Sequence, residues 1–87
     1  MINNFKQFIN ENNLIDIALD MLDKIEVPFL FQDYLDTREN KIELLKYISD
    51  QGQGLHEKED RKKNIYNSTC NMFTKKLTDA AIAAFPL

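Results

Sequence analysis

The sequence is poor in the residues that build turns, disulfides and membrane spans. Its 87 residues include no tryptophan, one cysteine, two glycines and two prolines. Because there is neither an Asn-Gly nor an Asp-Gly pair, little of the hairpin turn chemistry is present, and a β fold is disfavoured. No apolar run approaches the roughly 20 residues of a membrane-spanning helix, and the N-terminus lacks the pattern of a secretory signal. With Cys70 unable to form an intramolecular disulfide, we expect a cytoplasmic protein without membrane association.

Motifs for catalysis, cofactor binding and metal binding are also missing. The sequence has no phosphate-binding glycine loop, dinucleotide-binding glycine pattern, zinc-ligand spacing or nucleophile elbow. His56 has no residue spaced to act with it in catalysis or metal binding. Cys70 has no neighbouring base and fits a partly buried small apolar residue. We therefore expect a protein that is not an enzyme and that has no cofactor or metal.

What the sequence does contain is helical periodicity along nearly its whole length. The predicted helices are one over about 3–10, one from about Leu14 to Glu26, a short one after Pro28, one capped by Asp36 or Thr37, and a last segment over about 55–85. The last segment is one helix or two, with a break expected near Asn67-Ser68. Gly52 is expected to end the fourth helix in the left-handed conformation. The fold class predicted is all-α, a small single-domain bundle of four to five helices over residues 1–87.

An aromatic cluster, Phe29-Leu30-Phe31 with Tyr34, follows the first proline. Burial in the core is the favoured interpretation, since most large apolar residues are inside proteins. The alternative is an anchor in a protein interface, where aromatic residues dominate binding energy. Phe29 and Phe31 point in very different directions on a helix, which argues against burying both in one small bundle.

Charge is unevenly distributed along the chain. Residues 1–50 hold ten acidic and five basic side chains, a net of −5, whereas residues 51–87 hold four acidic and six basic side chains, a net of +2. Asp16, Asp20 and Asp23 share the polar face of the second predicted helix. One interpretation is an acidic recognition face, which Asp33, Asp36, Glu39 and Glu43 extend if the helices pack side by side. The alternative is the ordinary solvated face of an amphipathic helix.

Small size, acidity and helicity together resemble the small helical inhibitors of bacteria and phages, such as immunity proteins of nuclease toxins and phage-encoded inhibitors of host proteins. The resemblance covers no specific positions. It implies a basic protein partner, because carboxylates can occupy a cleft built to hold phosphates. The expected partner-binding residues are Asp16, Asp20, Asp23, Asp33, Asp36 and Glu39.

Two alternatives from other classes stay open. The first is a small DNA-binding or transcription-regulating domain that uses Lys58, Arg61, Lys62 and Lys63. Interleaved acidic residues cancel much of this local charge, which argues against nucleic acid. The second is a homo-oligomeric structural subunit in which the aromatic cluster and the alanine-rich end, Ala80 to Ala84, meet a second copy.

Overall fold

A computed structural model describes residues 14–54 and 59–86 of the chain. The helix expected over 3–10 lies outside these ranges, as do the side chains of His56 and Lys58. The described elements are α1 (14–24), a 3₁₀ helix (Phe29–Leu35), α2 (Arg38–Gln53), α3 (Glu59–Met72) and α4 (Lys75–Ala84). No residue in the two ranges is in a strand. The prediction of a small all-α fold with four to five helices is confirmed.

The hydrophobic core is supplied mainly by α1, α2 and α4, as the periodicity predicted. The fully buried large side chains include Leu22 of α1, Leu44, Leu45 and Ile48 of α2, and Leu77 of α4. Helix α2 packs against the 3₁₀ helix, α3 and α4. It is therefore the central element of the described structure. Among the described residues, no helix is both long and apolar enough to cross a membrane.

The ends of α2 are fixed by two local caps. The Thr37 hydroxyl accepts a hydrogen bond from the Asn40 amide at 3.1 Å, so Thr37 rather than Asp36 is the N-cap. At the other end Gly54 adopts the left-handed conformation, and its amide donates to the Asp50 carbonyl. The prediction that Gly52 has this role is wrong. Gly52 lies buried in the last turn of α2, because α4 passes too close there for a side chain.

The last segment forms two helices, and the break lies at Phe73-Thr74 rather than near Asn67-Ser68. Phe73 is buried, and Thr74 turns the chain with a positive φ of 143°, an unfavourable conformation for a β-branched residue. The Thr74 hydroxyl then caps α4 by accepting from the Leu77 amide at 3.0 Å. Burial of Phe73 and this cap together stabilise a turn that no glycine or proline marks.

The carboxyl end of α4 is tied to α2 by a buried polar contact. The Ser49 hydroxyl donates to the Phe85 carbonyl at 2.7 Å, and the Gln53 amide donates to the Ser49 hydroxyl at 2.8 Å. Since a buried hydroxyl is costly without a partner, these hydrogen bonds make a polar residue acceptable at position 49.

A tyrosine links α3 to α4. The Tyr66 hydroxyl donates a hydrogen bond to a carboxylate oxygen of Asp79. This bond raises the pKa of Tyr66, and burial and the neighbouring Cys70 thiol add to the effect. Cys70 is half-buried beside Tyr66.

We predict that Gly52→Ala destabilises the protein by about 1–3 kcal/mol, the usual cost of overpacking. A Cβ at position 52 would lie 2.8 Å from Thr78 Cγ2, which outweighs the gain of about 1 kcal/mol in helix propensity. Thr78→Ser removes that methyl group and keeps the hydroxyl that donates to the Thr74 carbonyl. Urea unfolding should therefore show recovery in the double variant. A gain in stability for Gly52→Ala alone would contradict the close approach.

We predict that the Tyr66 hydroxyl stays protonated at pH values above the ordinary tyrosine pKa of about 10. The folded-state pKa is raised, so the stabilisation is present below pH 10 and is lost as the pH rises further. The tyrosinate absorbance of the wild type minus that of Tyr66→Phe isolates this group. A difference transition at or below pH 10 would contradict the hydrogen bond to Asp79.

Candidate partner-binding surface

The three aspartates of α1 are exposed, and each is paired with a cation of the same molecule. The pairs are Asp16 with Arg38 (3.4 Å), Asp20 with Lys24 (2.9 Å) and Asp23 with Lys41 (2.9 Å). The hydrogen bond and the charge of Asp20 raise the pKa of Lys24. This predicted recognition face is therefore locally neutral.

Two of these ion pairs join α1 to the start of α2. Arg38 and Lys41 lie in the first turn of α2, where the helix dipole disfavours positive charge. Asp16 and Asp23 of α1 offset that cost by placing carboxylates beside the two cations. The structural consequence is that α1 is held against α2, which the sequence spacing alone did not reveal.

Negative charge without a local counter-ion lies around the 3₁₀ helix. Residues 14–50 contain nine carboxylates and four cations, and all four cations are paired, Lys46 with Glu43 at 3.7 Å. Among residues 14–50, the carboxylates that have no ion-pair partner in the described ranges are Glu26, Asp33, Asp36, Glu39 and Asp50. All of these except Asp50 lie in the 3₁₀ helix or within four residues of it along the chain, a reach of about 14 Å at most. The structure thus separates Asp33, Asp36 and Glu39 from the other three predicted residues.

The 3₁₀ helix is held in place through Phe31. With three residues per turn, Phe31 and Tyr34 share a face, and this face meets α2. The Phe31 ring lies 5.2 Å from the ring of Phe73, 5.5 Å from that of Tyr47 and 6.4 Å from that of Tyr34, all centroid to centroid. The Phe31 amide donates to the Pro28 carbonyl at 2.9 Å. Aromatic packing therefore fixes the orientation of the whole turn.

Phe29 and Leu30 point away from the protein. Phe29 is 87% exposed and Leu30 is 83% exposed, so the expectation that they belong to the core is wrong for both. The reason is the period of three, because a turn that places Phe31 inward leaves the two preceding side chains on the outer faces. Burying each of these side chains would be worth about 1.5–3 kcal/mol, which no contact among the described residues provides.

Together these residues make one candidate surface, which we call the acidic–aromatic surface. It consists of Phe29 and Leu30 with the carboxylates Glu26, Asp33, Asp36 and Glu39. Sequence reasoning did not single out Glu26. The sequence feature that could have indicated it is its position next to Val27-Pro28, where the preceding helix ends. Sequence reasoning also missed Tyr47, which borders this region and is half exposed. The sequence feature that could have indicated Tyr47 is its four-residue spacing from Glu43, which places both residues on one helix face.

The residues of the two alternative functions are placed as follows. Arg61, Lys62 and Lys63 are exposed on α3, and Lys58 lies outside the described ranges. In the alanine-rich end, Ala81 is buried, Ala80 and Ala84 are half-buried against the core, and Ala83 is exposed. Much of that end is thus already used inside the molecule. DNA binding and self-association both stay predictions.

Comparison with known proteins finds no match to this chain among family models, curated proteins or solved structures. In the part of the chain that the structure describes, no three His, Cys, Asp or Glu side chains are grouped to hold a metal ion. The acidic–aromatic surface is therefore the candidate functional site of the described residues.

We predict that neutralising paired and unpaired carboxylates has different effects on stability. Asp16→Asn with Asp23→Asn removes both links between α1 and α2 and should cost at most about 1 kcal/mol per pair. The loss should disappear in about 1 M NaCl, where the Debye length is about 3 Å. Asp33→Asn with Asp50→Asn removes the same number of charges but no ion pair, and should not destabilise. Equal losses in the two double variants, measured by urea unfolding, would contradict this assignment.

Proposed function

We propose that this chain is a non-catalytic binding domain that inhibits a basic protein partner through the acidic–aromatic surface. The partner class that fits best is a protein whose own site binds nucleic acid. A bacterial nuclease toxin, with this chain as its immunity-type inhibitor, or a host protein inhibited by a phage, meets that description. The single observation that carries the proposal is the outward placement of Phe29 and Leu30 among carboxylates that have no ion-pair partner in the described ranges.

The two outward side chains supply the apolar anchor. Interface hot spots are large side chains that enter a partner's pocket, and each is worth about 2 kcal/mol or more when truncated. Phe29 and Leu30 are adjacent on a turn that Phe31 holds in place, so little conformational entropy is lost when they bind. A preformed anchor of this kind favours docking without rearrangement of the domain.

The carboxylates determine which partners are attracted. A surface with unpaired negative charge speeds association with a basic protein by about 10–10³-fold at low ionic strength. It also resembles the phosphate backbone that a nucleic-acid cleft binds, so an occupant of that cleft would be displaced. Inhibition by competition for the cleft follows from this charge pattern.

A second copy of this chain fits the surface less well. In a two-fold symmetric dimer the same patch meets itself, which would place Asp33, Asp36 and Glu39 opposite their own copies. Like charges across an interface cost several kcal/mol. Charge complementarity therefore favours a basic partner over self-association through this patch.

We predict that the immobilised protein retains a basic protein from the cells that encode it, and that Phe29→Ser with Leu30→Ser abolishes retention. Both positions are exposed, so the fold is expected to persist, as circular dichroism would check. The matched control is Ile17→Ser, which also removes a large exposed apolar side chain, but on α1.

Charge variants test the second half of the proposal. Asp33→Asn, Asp36→Asn and Glu39→Gln combined should slow association with the retained protein by about tenfold or more at low salt and much less at high salt. The purified partner should lose its activity on nucleic acid when the domain is added. Retention that is equal in the Phe29/Leu30 variant and in the control would overturn the proposed function, as would an acidic partner.

A further inference from the structure

We infer that the cavity between the 3₁₀ helix and α2 is a receptor for one cationic side chain of the partner, an arginine or a lysine. This inference rests on the proposed function, since it names the chemical group that the basic partner inserts. The cavity measures about 270 Å³ and is lined by Phe31, Tyr34, Glu43, Leu44 and Tyr47. We call it the aromatic pocket.

Two helical periods build this pocket. Phe31 and Tyr34 are three residues apart on the 3₁₀ helix, where side chains at that spacing eclipse one another. Glu43 and Tyr47 are four residues apart on α2 and therefore lie on the same face. The packing of the two elements against each other brings three aromatic rings and one carboxylate to the same cavity.

The rings are arranged to leave aromatic faces available. The Phe31 ring is tilted by 44° from that of Tyr34 and by 37° from that of Tyr47, so the three rings are not stacked in parallel. Tyr34 is 43% exposed and Tyr47 is 42% exposed. Aromatic faces attract a cation within about 6 Å of the ring centroid, and Arg does so more often than Lys.

Glu43 decides the sign of the occupant. It is the only ionisable carboxylate among the lining residues, and its one ion pair in the described ranges is a long, exposed contact with Lys46 at 3.7 Å. An apolar group entering the pocket would take water from Glu43 and offer nothing in exchange, which leaves the long contact with Lys46 as its ion pair in the described ranges. A guanidinium or ammonium group instead provides both a counter-ion and a cation–π contact.

The test uses n-butylguanidinium for arginine, n-butylammonium for lysine and neutral 1-butanol as the control, each titrated into the full chain. NMR shifts of the Tyr34 and Tyr47 ring protons are followed at constant ionic strength. We expect saturable binding of at least one cation, about threefold or more tighter than any binding of butanol, with butylguanidinium the stronger of the two. Butanol shifting the same protons as effectively as the cations would overturn the proposal.

Two variants of equal net charge locate the binding. Glu43→Gln should weaken cation binding by about threefold to tenfold, whereas Asp50→Asn, at a residue that does not line the pocket, should leave cation binding unchanged. Equal effects of the two variants would overturn the proposal by showing only a general charge effect. Tyr47→Leu removes one aromatic ring from the pocket and should also weaken binding of the cation.

The titrations test the pocket and the capture experiment tests the proposed function, and either can give a negative result without the other. Cation binding in a chain that retains no basic protein would overturn the proposed function while supporting the chemistry of the pocket. Retention of a basic partner with no cation binding, and with unchanged affinity in Glu43→Gln, would overturn the pocket and leave the proposed function standing.

Discussion

The Phe31 ring, packed between Tyr47 and Phe73, is the contact on which the presented surface depends. Because the turn that carries it has three residues per turn, placing Phe31 inward commits Phe29 and Leu30 to solvent. The same placement brings Tyr34 beside α2 and forms the aromatic pocket with Glu43. One half-buried aromatic side chain thus determines both the outward placement of Phe29 and Leu30 and the cavity beside it. In an ordinary α-helix of the same residues, the three side chains would be distributed differently and neither feature would arise in this form.

Electrostatics divide the acidic half of the molecule into two parts with different roles. Carboxylates of α1 are engaged with Arg38, Lys41 and Lys24, so their charge serves the packing of α1 and the start of α2. The carboxylates around the 3₁₀ helix have no such partner in the described ranges, and the net charge of the acidic half is effectively theirs. A surface salt bridge contributes little to stability, but at the N···O distances of 2.9–3.4 Å found in the α1 pairs the cation offsets the charge of the carboxylate locally. The carboxylates that keep an unpaired negative charge in the described ranges are therefore fewer than the sequence count indicates.

Much of the fold could be predicted from the sequence because it depends on local periodicity. The stripes that contain Leu22, Ile48 and Leu77 are buried as the 3.6-residue repeat predicted. The break at Thr74 could not be predicted from the sequence, since it depends on burial of Phe73 and no glycine or proline marks it. For the candidate site, residue type and spacing indicate Asp33, Asp36 and Glu39 as partner-binding residues, and this stays a prediction. The pairing of Asp16 and Asp23 across helices depends on how α1 lies against α2, which no spacing within one helix reveals. The exposure of Phe29 and Leu30 depends on a 3₁₀ helix with three residues per turn, whereas the sequence pattern indicated an α-helix with 3.6 residues per turn.

The most direct measurement of the central claim is site-specific photo-crosslinking in the cells that encode the protein. A photoreactive phenylalanine analogue placed at position 29 should form a covalent adduct with a basic protein, and the same analogue at position 17 should not. An adduct from both positions alike, or from position 29 only with a second copy of this chain, would contradict the account.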